Sequence, residues 1–197
     1  MAGVLKFDRE EAVATAMMTF WSQGASNVSV KAFCDQVGIT RSSFYNTFGS
    51  LDNLFEESLD LYLQDAPAKR LKRTDISALD GIHAMFKVLC KFRASDKAHK
   101  GCIVVNGLTE LHSLEEGMQL SVLNRVNDTI DAFKQALKTA VENGDLDQDF
   151  NVDTTALALE TLVIGINTIS KVVHKEKELW AIAESTLLGL GIKPSAA

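Results

Sequence analysis

Thr40, Arg41, Ser42 and Ser43 stand in a row two residues after Gly38, with Tyr45 and Asn46 one helical turn further on. Hydroxyls at the start of a helix suit phosphate, because the first N–H groups there lack partners and carry the positive end of the helix dipole. An arginine in the same turn can pair with guanine through two hydrogen bonds, and serines donate or accept at base edges. Ser29 offers a second hydroxyl of the same kind, eleven residues before Thr40. The chemistry these types support is phosphate anchoring combined with base reading. The expected nucleic-acid contacts are therefore Ser29, Thr40, Arg41, Ser42, Ser43, Tyr45 and Asn46.

Such a set needs rigid elements to hold it. Asp8 as N-cap with Glu11 three residues on predicts the start of a first helix, with Phe7 stapling its entry. Ala12, Ala16, Met17 and Phe20 recur on one face of it, and Gly24 ends it. Ser29 caps a second helix whose apolar side is Val30, Phe33, Cys34 and Val37. Gly38 makes a tight turn and Thr40 caps the third helix, whose Phe44 and Phe48 join Phe33 in a small core. Two short helices around a glycine turn form a helix-turn-helix, with the second helix placed to enter the major groove. Ser50 caps a fourth helix carrying Leu51, Leu54, Phe55, Leu59 and Tyr62, which Pro67 closes or kinks. Apolar spacings of three and four continue to the end of the chain. They predict helices near 75–96, 101–113, 115–143, 152–174 and 176–190, with a break at Asn143-Gly144-Asp145. Alternating β-branched runs are absent, so the fold class is all-α.

Composition narrows the function. The 197 residues are 46% apolar, enough for a sizeable core, and contain only 2 prolines. The net charge is −6, and residues 1–66 hold four bases against nine acids. A DNA-binding face is ordinarily basic. From Gly24 to Ser50 the balance is +1, and the acids cluster before and after that window. DNA binding is accordingly expected to be salt-sensitive and moderate in strength. The first residues lack the pattern of a signal peptide, and the run LVIGI at 162–166 is too short to cross a bilayer. Three cysteines without an export signal read as reduced thiols in a cytoplasmic protein with no membrane partner. No phosphate loop, zinc spacing or Ser/His/Asp set points to an enzyme, and no cofactor or metal is implied. His83, His99, His112 and His174 read as lone surface histidines. Lys69, Arg70, Lys72 and Arg73 read as a solvated basic face.

Gly24, Ser29-Val30, Val37-Gly38-Ile39, the run Ser43-Phe44-Tyr45-Asn46-Thr47-Phe48 and Leu54-Phe55 closely resemble the N-terminal domain of the TetR family of bacterial transcriptional regulators. The resemblance implies a three-helix helix-turn-helix DNA-binding domain over 6–66 and a larger helical ligand-binding and dimerisation domain over 67–197. It implies a homodimer on a near-palindromic operator in double-stranded DNA, a repressor released by a small molecule. The family often has His where this chain has Asn46 and Lys where it has Leu51, which removes a usual phosphate contact. A helical interaction module with weak or lost DNA binding is the alternative that this departure and the acidic balance keep open.

The second half carries its own candidates. The segment Thr154 to Val173 is apolar nearly all round, which predicts a helix buried on several sides. Paired with 179–190 it is expected to form the dimer interface or, more plainly, part of the core. Gly101-Cys102 resembles a branch of the family that includes electrophile-sensing repressors. Cys102 would then lie in the first turn of a helix, with Lys171 able to stabilise its thiolate if it faces inward. The plain alternative is a packed thiol. The expected effector pocket is bordered by Phe86, Cys90, Cys102, Val105, Leu162 and Ile166, with Asn106, Asn167 and Lys171 as polar groups.

Overall fold

The computed structural model describes residues 8–195 of the chain, so the Phe7 staple lies outside the described residues. Nine α-helices run in the order α1 Arg9–Gln23, α2 Val30–Val37, α3 Arg41–Phe48, α4 Leu51–Leu63, α5 Ala78–Ser95, α6 Ile103–Thr109, α7 Glu116–Glu142, α8 Val152–Ile169 and α9 Glu176–Gly189, and no β-strand occurs among the described residues. The expected caps are in place. Asp8 accepts from the Glu10 and Glu11 N–H groups, Ser29 from Ala32, Thr40 from Ser43 and Ser50 from Asn53.

Contacts divide the chain into two compact units. One runs up to Gln64 and takes in Asn106–Leu123; the other comprises Asp65–Val105 and the chain from Asn124 onward. The segment around the end of α6 and the start of α7 thus groups with the helix-turn-helix, although its sequence position is far from it. Two contacts hold it there. The Ser26 N–H and hydroxyl both donate to Glu110 Oε2, at 3.2 and 2.9 Å. Gly117 lies so close to the Asp52 side chain that a Cβ has no room.

The core of this first unit is aromatic. Phe20 meets Phe55 edge to face at 5.0 Å, and Phe33, Phe44 and Phe48 pack mutually at 5.5–6.3 Å. Arg9 reaches from α1 to pair with Glu57 at 2.7 Å and to lie over the Phe48 ring. In the second unit, Phe86 stacks on Phe133 within a core that also contains Ile82, Cys90, Leu137, Leu159, Ile166, Leu179, Ala183 and Leu187.

Several expectations need correction. The 101–113 helix is shorter: α6 ends at Thr109, and a 3-10 turn follows at Leu111–Ser113. Cys102 therefore precedes the helix rather than lying in its first turn. The helix expected over 152–174 stops at Ile169, where Ser170 caps it by donating to Ile166 O. Lys171 lies beyond that end and is exposed, so it is not a buried cation inside an apolar helix. Nor is α8 buried on several sides: Leu157 is 54% exposed and Ile169 is 37% exposed. Apolarity all round predicts burial all round, and on one side of α8 that expectation fails. The histidines differ too. His83 is buried and bonds the Ile192 carbonyl at 3.0 Å, while His99 and His174 stack at 3.5 Å.

By length and composition alone, α8 is apolar enough to cross a bilayer. Core helices pass the same criterion, and one side of α8 packs into the second unit's core.

Candidate nucleic-acid interface

The first unit presents a short helix with two faces. Phe44 and Phe48 turn inward and are buried, while Arg41, Ser42, Ser43, Tyr45 and Asn46 are all exposed. That split follows from helical spacing: 44 and 48 lie four apart on one side, and the polar residues occupy the rest. Gly38 makes the turn ahead of it. Its φ of 72° is left-handed, and its N–H bonds Cys34 O, closing α2 so that Thr40 begins α3 two residues later.

The two N-cap hydroxyls have a defined polarity. Ser29 Oγ accepts from the Ala32 N–H at 3.2 Å, and Thr40 Oγ1 accepts from the Ser43 N–H at 3.1 Å. An oxygen that accepts in this way still has its own proton to donate, and a phosphate oxygen is the fitting acceptor. Thr40 Oγ1 also lies 3.0 Å from Ser43 Oγ, so the two hydroxyls share one proton line and leave the other free. Tyr45 is 53% exposed and touches Phe44 edge to face at 5.3 Å, which orients its ring outward from the core. Asn53 Nδ2 donates to Phe48 O at 3.0 Å and fixes the end of α3 against α4. Burial raises the Cys34 thiol above its ordinary range, with the nearby Arg41 charge opposing that shift, so Cys34 is a packing residue beside the arginine.

The N-terminal match is to the model of the bacterial regulatory proteins, tetR family, over residues 12–58. A second match, to the tetracyclin repressor-like C-terminal domain, covers residues 78–185, more than half of the chain. The chain belongs to the TetR family. It is a DNA-binding transcriptional regulator with a helix-turn-helix, not an enzyme. Relatives agree across nearly the whole length. The HTH-type transcriptional repressor ComR of Escherichia coli K12 is 23% identical over 184 residues, covering 92% of this chain and 88% of ComR. The TetR-family regulator CifR, solved as a cysteine mutant with a 26-bp double-strand operator, is 27% identical, with a TM-score of 0.79 over 92% of this chain and 96% of that one. Reduced NemR of E. coli superimposes with a TM-score of 0.73 at 22% identity, over 95% and 99%, and shows the same fold.

The residues expected at an effector pocket of this TetR-family chain are distributed unevenly. Phe86, Cys90, Leu162 and Ile166 belong to one buried cluster of the second unit. Val105 is buried, Cys102 is half-buried, and Asn106 is half-buried within the segment that groups with the first unit. Burial, reinforced by Glu176, pushes the Cys90 thiol up to about 12, which leaves it protonated and unreactive. Sequence reasoning passed over Glu160, which is only 6% exposed. The signal was available: its helical neighbours Ala156, Leu157, Val163 and Ile164 are all apolar, which is where an acid needs a reason.

Proposed function

We propose that this regulator is a homodimeric repressor that binds a near-palindromic operator through α3 and is released by a small molecule bound in its second unit. The observation that carries the DNA reading is the exposed row Thr40, Arg41, Ser42 and Ser43 at the start of α3, above a buried aromatic core. CifR, a relative of similar length, is known with operator DNA. One short helix reads few base pairs, so two copies must share the work. A cytoplasmic location follows from that role.

The surface expected to pair the copies lies on α8 and α9. Leu157, Ile169, Ile182 and Leu188 are 54%, 37%, 42% and 47% exposed, beside a shallow apolar groove lined by Thr161, Gly165 and Thr186. Soluble monomers rarely leave such a surface open, and a two-fold axis lets one patch cover its own copy. The double variant Leu157→Glu with Ile182→Glu is expected to sediment as a monomer and to lose operator binding. A dimer persisting at micromolar concentration in that variant would move the interface elsewhere.

The contacts are tested by gel shift on the DNA upstream of the chain's own gene. Arg41→Ala is expected to weaken binding by about 1–3 kcal/mol, the value of a bidentate base contact. Ser43→Ala removes both a donor and the hydroxyl that orients Thr40, and Tyr45→Phe removes one donor. Each should lower affinity while leaving the melting temperature within a few degrees. Unchanged affinity in all three would favour the interaction-module reading, which the acidic balance of the first unit also supports.

Release requires a ligand that favours a dimer whose recognition helices no longer match the groove, and a coupling of about 1–3 kcal/mol suffices. The route this reading uses is α7, which contributes residues to both units, with Glu110 and Gly117 tying the adjoining segment to the α1–α2 turn and to α4. Cys102 is the one free cysteine that is not fully buried, which favours it as a second sensor. Cys102→Ser is expected to keep operator affinity and to lose release by N-ethylmaleimide. Unchanged release would leave Cys102 as a packing residue.

A further inference from the structure

Glu160 stands at the border of the open side of α8. It is 6% exposed, and its Oε2 has no hydrogen-bond partner among the described residues. Leu157, three residues earlier, is 54% exposed. At 3.6 residues per turn the two side chains lie about 60° apart around the helix and are neighbours on its surface. Ala156 and Asn167, on the other side of Glu160, are buried. A buried oxygen left unmatched calls for an explanation. The side that the fold leaves open is the one from which a partner can arrive.

That side is apolar and carries hydroxyls of one kind. Thr161 Oγ1 donates to Leu157 O at 2.8 Å, Thr168 Oγ1 to Ile164 O at 2.8 Å and Thr186 Oγ1 to Ile182 O at 2.9 Å. Each hydroxyl has spent its proton on its own helix and keeps lone pairs that can still accept. The same face holds projecting side chains, Leu157, Ile169 and Ile182, and a shallow groove at Gly165, so one copy can receive another about a two-fold axis. A second copy laid there brings acceptors to Glu160, and a carboxyl can satisfy an acceptor only while it carries a proton.

Resting on the reading of α8 and α9 as the face that pairs the copies, we propose that Glu160 makes dimerisation proton-linked: it enters the interface as a neutral carboxylic acid and donates its O–H to a threonine hydroxyl of the second copy. Burial raises the Glu160 carboxyl to about 8, and no charged group on a neighbouring helix contributes to that shift. Asp153 of α8 and Lys134 of α7 pair with each other at 2.9 Å, and Glu178 of α9 pairs with Lys175 at 2.9 Å. A carboxylate at this border would press a bare negative charge against an apolar face and oxygen lone pairs. The dimer therefore retains protons that separated chains release at alkaline pH, and it loosens as pH rises.

The experiment is fluorescence-detected sedimentation of the labelled full-length chain, diluted from micromolar to nanomolar concentration at pH 6.5 and pH 9, with circular dichroism confirming the helical fold at both. The dimer dissociation constant is expected to rise by about tenfold or more at pH 9. Glu160→Gln keeps the shape and carries an N–H donor at every pH, so it should dimerise equally at both. A wild-type dissociation constant unchanged between the two pH values, or an equal rise in Glu160→Gln, overturns the proposal. The interface reading fails separately, through the Leu157→Glu, Ile182→Glu double variant. If that variant stays dimeric at pH 6.5, the interface reading and this proposal fall together. If it is monomeric while the wild-type dimer ignores pH, this proposal alone falls.

Discussion

Phe44→Ala is expected to destabilise the first unit by about 3–5 kcal/mol, the usual cost of emptying a buried phenylalanine site. Phe44 is fully buried between Phe33 at 6.0 Å and Phe48 at 5.5 Å, on two short helices of eight residues each. Helices that short have little stability of their own and depend on tertiary packing. The cavity therefore falls where α2 and α3 hold each other. Urea denaturation followed by circular dichroism checks it, and operator binding should fall in parallel. Tyr45→Ala is the contrast on the same helix. The ring is exposed, so stability should change by about 0.5 kcal/mol or less, while operator affinity drops. Equal destabilisation by the two substitutions would mean that the inward and outward faces of α3 have been assigned wrongly.

Glu160→Gln is expected to stabilise the protein at alkaline pH and to flatten its pH profile. The Glu160 carboxyl is raised from its ordinary 4.5 to about 8 by burial. Across that window the folded state holds a proton that the unfolded chain has released. The folded state thus binds more protons, and stability falls as pH rises from about 4.5 to about 8, then levels off. A shift of this size corresponds to about 5 kcal/mol. Glutamine keeps the shape and removes the titration. Thermal melts of both proteins between pH 5 and pH 9, analysed on the same buffer series, check it. Parallel curves would mean that water or a partner group reaches the carboxyl and keeps it ionised.

These two residues also mark the two kinds of legibility. Phe44 was readable because its environment is local. Phe33, Phe44 and Phe48 lie within sixteen residues, the Gly38 turn joins their helices, and helical spacing alone separates the buried ring from the exposed Arg41, Ser42 and Tyr45. The caps Asp8, Ser29, Thr40 and Ser50 were readable for the same reason, since a capping hydroxyl or carboxylate bonds an N–H two or three residues away. Glu160 was not readable as unpaired, because a partner from anywhere in the chain would have satisfied it.

The sequence by itself determined the helical class, the helix starts, the polar face of α3 and the resemblance to the TetR family. All of these rest on interactions within a few residues or on a run of matching types. Tertiary structure alone decided which apolar faces are covered. It left Leu157 and Ile182 open on helices whose other sides are packed, and it put Lys171 outside α8. It also grouped Asn106–Leu123 with the helix-turn-helix, through a hydrogen bond between Ser26 and Glu110 that spans 84 positions. Burial and long-range pairing depend on the summed packing of distant segments, and hydrophobic periodicity carries no record of which segment arrives.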